Sequence, residues 1–399
     1  MTMCEADLFT GIAIVIDDEA ERPETRIANL IGQIEDKKMP CIKYTVLPDK
    51  DTLLNFRGVS LLLLDWKLRT QELSDAEVEA GVKIPSELED LNTKFNIEFL
   101  ELVKSTFFAP VFIFTDGDTN WIVEKLKECG LFEDGKPNFI LVKKKDELLD
   151  GKLFVEIKSW VRVTLPIYVM KEWEKEYEKA KNSLFQDFYQ LSHSWPKILW
   201  DTFMADDVNV SMELGELITK NLYTRMAPFS FDPEIFKPEM DQNEAEVRSV
   251  LEGERFIKQN RLHSDSINAG DVFKDGRKIY INIRPDCDCI PKRCTTGQDP
   301  DRIDLYLLRG NKLAKIAEGK LYSKKYGNFS ELDSQSIIFS MLEGHTYDFR
   351  FKDLIIKPWS EMRSKRIGRL LPPYITRIQQ RYALYLQRQS MPRIPNVFD

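Results

Sequence analysis

The run Val59-Ser60-Leu61-Leu62-Leu63-Leu64 stops at Asp65. An apolar stretch of this length bounded by polar residues predicts a strand covered on both faces, as in a parallel sheet flanked by helices. Asp65 then stands at the carboxyl end of that strand, the edge where ligands of open α/β sheets collect. The pattern repeats along the first part of the chain. Gly11 to Ile16 runs into Asp17-Asp18-Glu19, Val111 to Phe114 into Thr115-Asp116-Gly117-Asp118, and Phe139 to Val142 into Lys143-Lys144-Lys145, with Cys41 to Leu47 as a further strand. Helices fit between them. Thr25 caps one whose apolar face is Ile27, Leu30, Ile31 and Ile34; another covers 95–107; a third runs from Trp121 to Cys129 and is stopped by Gly130. The β-α alternation over residues 1–160 predicts an α/β doubly wound, parallel five-stranded sheet with right-handed crossovers.

Four strand ends thus bring Asp17 and Asp18, Asp65, Thr115 and Lys143 to one edge. Carboxylates crowded together repel one another and are costly to bury unless a cation joins them. Asp17, Asp18 and Asp65 suit a hard divalent ion such as Mg²⁺, which takes a few carboxylates beside water and phosphate oxygens. One carboxylate can attack a phosphoryl group while the cation, a hydroxyl and an ammonium neutralise the transferring oxygens.

With these residues in place, Val15-Ile16-Asp17-Asp18-Glu19 together with Asp65 resembles a response-regulator receiver domain over residues 9–160. The resemblance implies that Asp17 and Asp18 hold Mg²⁺, that Asp65 is the phosphoacceptor, that Thr115 reports the phosphate and that Lys143 pairs with it. Some features depart from the family's pattern. The 50 positions from Asp65 to Thr115 exceed its usual spacing, so Arg69 to Thr93 is read as an insertion over the active edge. Lys143 is followed by Lys144 instead of proline, Ile140 stands where the family carries a switch aromatic, and Asp116 adds an acid after Thr115. A scaffold that keeps this fold without being phosphorylated is the alternative.

Beyond the first domain, residues 161–262 read as a helical connector. Its longest segment, Tyr168 to Leu191, carries Trp173, Tyr177, Ala180, Leu184, Phe188 and Leu191 at spacings of four and three, a stripe that covers a core or pairs two copies of the chain as a homodimer. His193 has no companion base or ligand set and reads as structural. Residues 263–360 change period: the turn Asp275-Gly276 joins two strands, and Ile303 to Leu308, Ser336 to Leu342 and Tyr347 to Ile356 add more, predicting a small antiparallel β-rich domain or barrel. Cys287, Cys289 and Cys294 lack a Cys-x-x-Cys pair and would need a distant ligand such as His345 to hold zinc, so reduced thiols are expected. Gly270 to Phe273 and Pro285 to Asp288 weakly resemble small β-barrel modules of bacterial receiver proteins in conflict systems. The wording of the tail is similar too, and this resemblance implies a histidine-kinase-like partner.

Residues 361–399 read as a basic C-terminal helix and tail, carrying eight Lys/Arg against Glu361 and Asp399 in a chain of net charge −8. Arg377, Arg381 and Arg388 fall on one side of a helix begun by Pro372-Pro373, beside Ile375, Ile378, Tyr382 and Tyr385. Such a row can contact nucleic acid, an acidic protein or the chain's own acids. No apolar run approaches the roughly 20 residues of a membrane span, and Glu5 and Asp7 stand where a signal peptide would be basic, so a cytoplasmic protein without membrane association is expected. No nuclease or protease constellation is visible after residue 150. The sequence points to phosphate-controlled signalling, not to catalytic turnover.

Overall fold

The computed structural model describes residues 8–56, 58–68, 86–205, 209–226, 230–237, 243–263, 266–290 and 300–388. The chain divides into two units: Met1–Pro196 with Gly215–Pro238, and Lys197–Leu214 with Glu239–Asp399.

The first unit begins β1 (Ile12–Ile16), α1 (Arg26–Asp36), β2 (Cys41–Tyr44), α2 (Lys50–Leu54) and β3 (Val59–Leu64). It continues α3 (Ser86–Thr106), β4 (Val111–Thr115), α4 (Thr119–Glu128), β5 (Ile140–Lys144), α5 (Leu153–Val163) and α6 (Leu165–Leu191). The five strands form one all-parallel sheet in the order β2-β1-β3-β4-β5, so β3 is central and Asp65 leaves its middle. Two faces covered by helices explain why Leu61 to Leu64 and Val111 to Phe114 are buried at every position instead of alternating. Local chemistry sets the helix ends. Thr25 Oγ1 accepts the Ala28 N–H and Asp118 Oδ1 accepts those of Asn120 and Trp121, while Gly130, at a φ of 67°, follows α4 in the left-handed conformation that ends helices.

The insertion expected from Arg69 to Thr93 has only its last part among the described residues. There it is helix, since α3 starts at Ser86, nine residues before the expected start. In α6, Ala180 and Leu184 are buried, whereas Trp173 stacks on Tyr177 and Phe188 on Trp195 near the surface. Tyr168 near the start of α6 packs into the parallel-sheet core and its hydroxyl accepts the Asp232 N–H. The helices α7 (Trp195–Ala205), α8 (Val210–Met226) and α9 (Glu244–Arg255) follow.

The second unit holds β6 (Phe256–Lys258), β7 (Asp271–Asp275), β8 (Lys278–Asn282), β9 (Asp304–Lys312), α10 (Lys315–Leu321), β10 (Tyr322–Ser323) and β11 (Asn328–Phe329). After them come β12 (Gln335–Leu342), β13 (His345–Pro358), α11 (Trp359–Met362), β14 (Arg366–Leu370) and α12 (Tyr374–Leu386). Seven strands form an antiparallel sheet in the order β12-β13-β9-β8-β7-β14-β6, an open order with β12 and β6 at its ends. One face packs Val272, Ile281, Leu308 and Phe349 against Ile375 and Ile378 of α12; the other packs Phe273, Tyr280 and Leu307 against Trp359 and Met362. The edge strand β12 is covered by side chains: Glu331 Oε1 accepts the Ile337 N–H and Arg255 donates to the Phe339 carbonyl. This keeps those edge groups from recruiting another strand.

The stretch expected to be a basic tail contributes an internal strand. β14 lies between β7 and β6, and a Cβ on Gly368 would sit 2.3 Å from the Ile257 carbonyl oxygen, so no larger residue lets the strands approach this closely. Its arginines point inward. Arg366, with a fully buried side chain, and Arg369 both pair with Asp271, at 3.3 and 2.6 Å.

Candidate functional site

The carboxyl ends of β1 and β3 place Asp17 and Asp65 side by side. They are 1 % and 7 % exposed. Backbone bonds hold both in place: the Asp17 N–H donates to the Tyr44 carbonyl and the Asp65 N–H to that of Ile16. Asp18 completes a trio of carboxylates whose oxygens lie within 4.8 Å of one another. Such a set can hold a divalent metal ion, with two ligands preorganised by buried strand ends and one at the turn after β1.

The ammonium at this cluster belongs to Lys145. Its Nζ donates to Asp65 Oδ2 at 2.8 Å and lies 2.7 Å from Asp17 Oδ2, at ion-pair distance but off the angle of a hydrogen bond. Lys143 lies instead against Glu156 and Glu147, at 3.2 and 3.5 Å. The reason is where β5 ends. The expected strand stopped at Val142, but the ladder with β4 continues through Phe114–Lys143 and Thr115–Lys144. The chain then tightens into a 3₁₀ turn, Lys145–Leu148, which buries the Lys145 side chain at the sheet edge. Three consecutive lysines cannot be told apart until the strand's last residue is known.

Burial pushes the Asp65 carboxyl above its usual range and Asp17 adds to that, against the pull of Lys145 and of the Lys67 N–H at 3.2 Å from Oδ1. Burial opposes the charge on Lys145, but Asp65 and Asp17 outweigh it and hold the ammonium's pKa above its ordinary value. A carboxyl whose neutral form is favoured by the fold subtracts from stability once ionised. Asp65→Asn should therefore be as stable as the wild type at neutral pH or more so, as read by urea unfolding.

Thr115 is fully buried at the end of β4, next to β3, and its Oγ1 accepts the Gly117 N–H at 3.1 Å. Arg26, the first residue of α1, ties the loops after β4 and β5 together through Asp116 at 2.7 Å and Asp146 at 2.9 Å. These half-exposed pairs contribute little stability but orient the loops around the acids. A second contributor is Asn96, 2 % exposed, whose Nδ2 donates to the Trp66 carbonyl at 2.8 Å and fixes the turn after Asp65. Its signal was present in the sequence: Asn96 lies on the helix face of Phe99, Leu100 and Val103, where a buried amide needs a partner.

The other candidate residues lie apart from this edge. Arg377 pairs with Glu331, and Arg381 donates to the Leu332 and Gln335 carbonyls, so two of the three arginines clamp α12 onto the loop before β12. Arg388 lies 3.9 Å over the Tyr385 ring. Cys289 is buried, its thiol pushed up to about 12 by desolvation, while Cys287 is exposed and Cys294 lies outside the described residues. Among the described residues, the three aspartates are the only cluster of His, Cys, Asp or Glu arranged for a metal. No helix among these residues is long and apolar enough to cross a membrane. No known protein family and no curated protein matches the chain.

Proposed function

We propose that the parallel-sheet unit is a receiver-type phosphoacceptor, with Asp65 as the residue that takes the phosphoryl group, and that the protein is a cytoplasmic two-component-type signalling protein. The observation that carries this reading is Lys145 bridging Asp17 and Asp65 beside Asp18 at the carboxyl edge of a parallel sheet. The expected pairing lysine is thereby reassigned from Lys143 to Lys145, and the position three residues before it becomes Val142.

An Asp65 oxygen attacks the phosphorus of a phosphohistidine on a kinase-like partner, or of a small acyl phosphate. The new bond is oxygen to phosphorus; the bond from phosphorus to the donor's nitrogen or oxygen breaks, and its electron pair leaves with the donor. Lys145 neutralises charge on the transferred group, and Thr115 offers a hydroxyl at the same edge. Asp17, Asp18 and Asp65 would hold a divalent cation, Mg²⁺ in this proposal, which when bound draws negative charge off the phosphoryl oxygens. The buried backbone contacts of Asp17 and Asp65 keep the nucleophile oriented before the donor arrives.

The full chain incubated with acetyl phosphate and Mg²⁺ should gain the mass of one phosphoryl group, labile to hydroxylamine. Asp65→Asn should abolish the gain. An unmodified wild type, or equal modification of the variant, overturns the proposal. Because the raised pKa of Asp65 protonates the nucleophile at a higher pH than an exposed aspartate, the labelling rate should fall on acidification while the pH is still above the ordinary carboxyl value of 3.8.

One observation favours a second reading. Lys145 lies at ion-pair distance from both buried acids and supplies a positive charge in the place a cation would take, as a phosphorylation-independent docking module would use it. In that case Asp65→Asn leaves partner binding and biological output unchanged.

A further inference from the structure

The second unit contains a groove of two lobes that share one wall. The larger, of about 1330 Å³, has Phe256, Leu342 and Ile367 in its lining; the smaller, of about 720 Å³, is lined by Tyr322, Phe329, Phe339 and Tyr374. Glu244, Arg248, Lys315 and Glu318 border both. That wall is neutralised within itself. Arg248 donates to Glu318 at 2.7 Å, to Glu244 at 2.8 Å and to the Gly344 carbonyl at 2.9 Å, and Lys315 lies 3.3 Å from Glu244.

The two lobes differ in chemistry. In the larger, Lys258, Lys274 and Lys312 project from β6, β7 and β9, and none has a carboxylate partner among the described residues. Of that lobe's acids, Glu244 and Glu318 are taken by the dividing wall; Glu252 accepts the Gly344 N–H at 2.7 Å and keeps its charge, as does Glu343. The three lysines still outnumber these two carboxylates, so the lobe keeps a positive excess to offer. The smaller lobe presents ring faces: Phe329 and Phe339 stack at 5.9 Å, and Tyr322, 46 % exposed, meets Phe329 edge-on at 5.8 Å. Arg248 lies 4.6 Å over Phe339 and Arg255 4.8 Å over Tyr374, so two cations already sit against these rings.

Adjacent aromatic and lysine lobes match a ligand with a flat base at one end and phosphates at the other. We propose that this groove binds a nucleoside polyphosphate, its base on the Tyr322–Phe329–Phe339 surface and its phosphates at Lys258, Lys274 and Lys312. A small nucleotide fits better than a long nucleic acid. The chain carries a net charge of −8, and both arginines on α12 that could extend a basic track, Arg377 and Arg381, are held internally. The smaller lobe, at about 720 Å³, is of the size small-molecule sites reach, about 300–1,000 Å³, and the larger, at about 1330 Å³, exceeds it.

The test titrates the full chain into ATP labelled on the ribose with a fluorescent N-methylanthraniloyl group, with unlabelled ATP, GTP, CTP, UTP, tripolyphosphate and oligothymidylate as competitors. Saturable binding displaced by at least one nucleoside triphosphate is expected. The triple variant Lys258→Ala, Lys274→Ala, Lys312→Ala should bind at least tenfold more weakly, and Tyr322→Ala, an exposed position on a two-residue strand, at least threefold. Circular dichroism confirms that both keep the fold. The inference is overturned by absence of saturable binding, by undiminished binding in the triple variant, by tripolyphosphate competing as well as every nucleotide, or by oligothymidylate outcompeting all four.

Discussion

Lys145→Ala should unfold the parallel-sheet unit at markedly lower urea than the wild type when no divalent cation is present, a loss of about 3–5 kcal/mol for breaking a buried ion pair from one side. The magnitude follows from burial. The side chains of Lys145, Asp17 and Asp65 are 5 %, 1 % and 8 % exposed, so removing the ammonium leaves two facing carboxylates without solvent to screen them. Lys143→Ala, two residues away, breaks pairs with half-solvated partners and should cost no more than about 1 kcal/mol. Added Mg²⁺ or Mn²⁺ should recover part of the Lys145→Ala loss, because a cation can take over the neutralisation. Equal effects of the two lysine variants would remove Lys145 from the site, and no recovery with either metal would remove the cation. The alkaline limit gives an independent check. A lysine whose pKa is raised by its partners contributes stability that is complete below its ordinary value of 10.5 and is lost as pH rises through the higher folded value, so the wild type should keep this contribution throughout the neutral range.

Asp271→Ala should collapse the antiparallel sheet to a similar degree, about 3–5 kcal/mol in urea unfolding of the full chain. Asp271 and Arg366 have fully buried side chains, and Arg369 is partly buried, its side chain 16 % exposed. Arg366 is also held by Gln259 Oε1 at 2.7 Å and the His263 carbonyl at 2.7 Å, and it lies 5.3 Å over the Trp359 ring. Deleting the aspartate withdraws the carboxylate that Arg366 and Arg369 share and leaves two guanidinium groups that cannot lose their charge. Removing residues from 366 onward should do the same or worse, because it withdraws an internal strand from between β7 and β6. A truncated chain that unfolds like the full-length protein would show that this segment is a tail after all.

The parallel sheet was legible from the sequence because its inner strands β1, β3 and β4 are buried on both faces, which writes each as an unbroken apolar run ending in a polar residue. The edge strands β2 and β5 are partly exposed. Asp17, Asp18, Asp65 and Thr115 sit at those endings, so their common edge followed directly. In Lys143-Lys144-Lys145 the choice of lysine was not legible, since it depends on how far the ladder with β4 extends, and pairing across a sheet is a non-local property. The segment 366–370 was hidden for a related reason. Its arginines read as surface charge because their partner, Asp271, is far away in sequence, and Gly368 reads as a breaker until Ile257 is seen 2.3 Å from where its Cβ would lie. Arg377 and Arg381 likewise found partners in the loop Glu331 to Gln335.

The sequence by itself determined the strand ends and the kinds of charge they carry, because burial and period are local. Only the tertiary structure decided which cation answers the aspartates around Asp65, and that the basic segment 366–370 is core. A buried charge is placed by the partner that compensates it, and that partner is chosen by the fold.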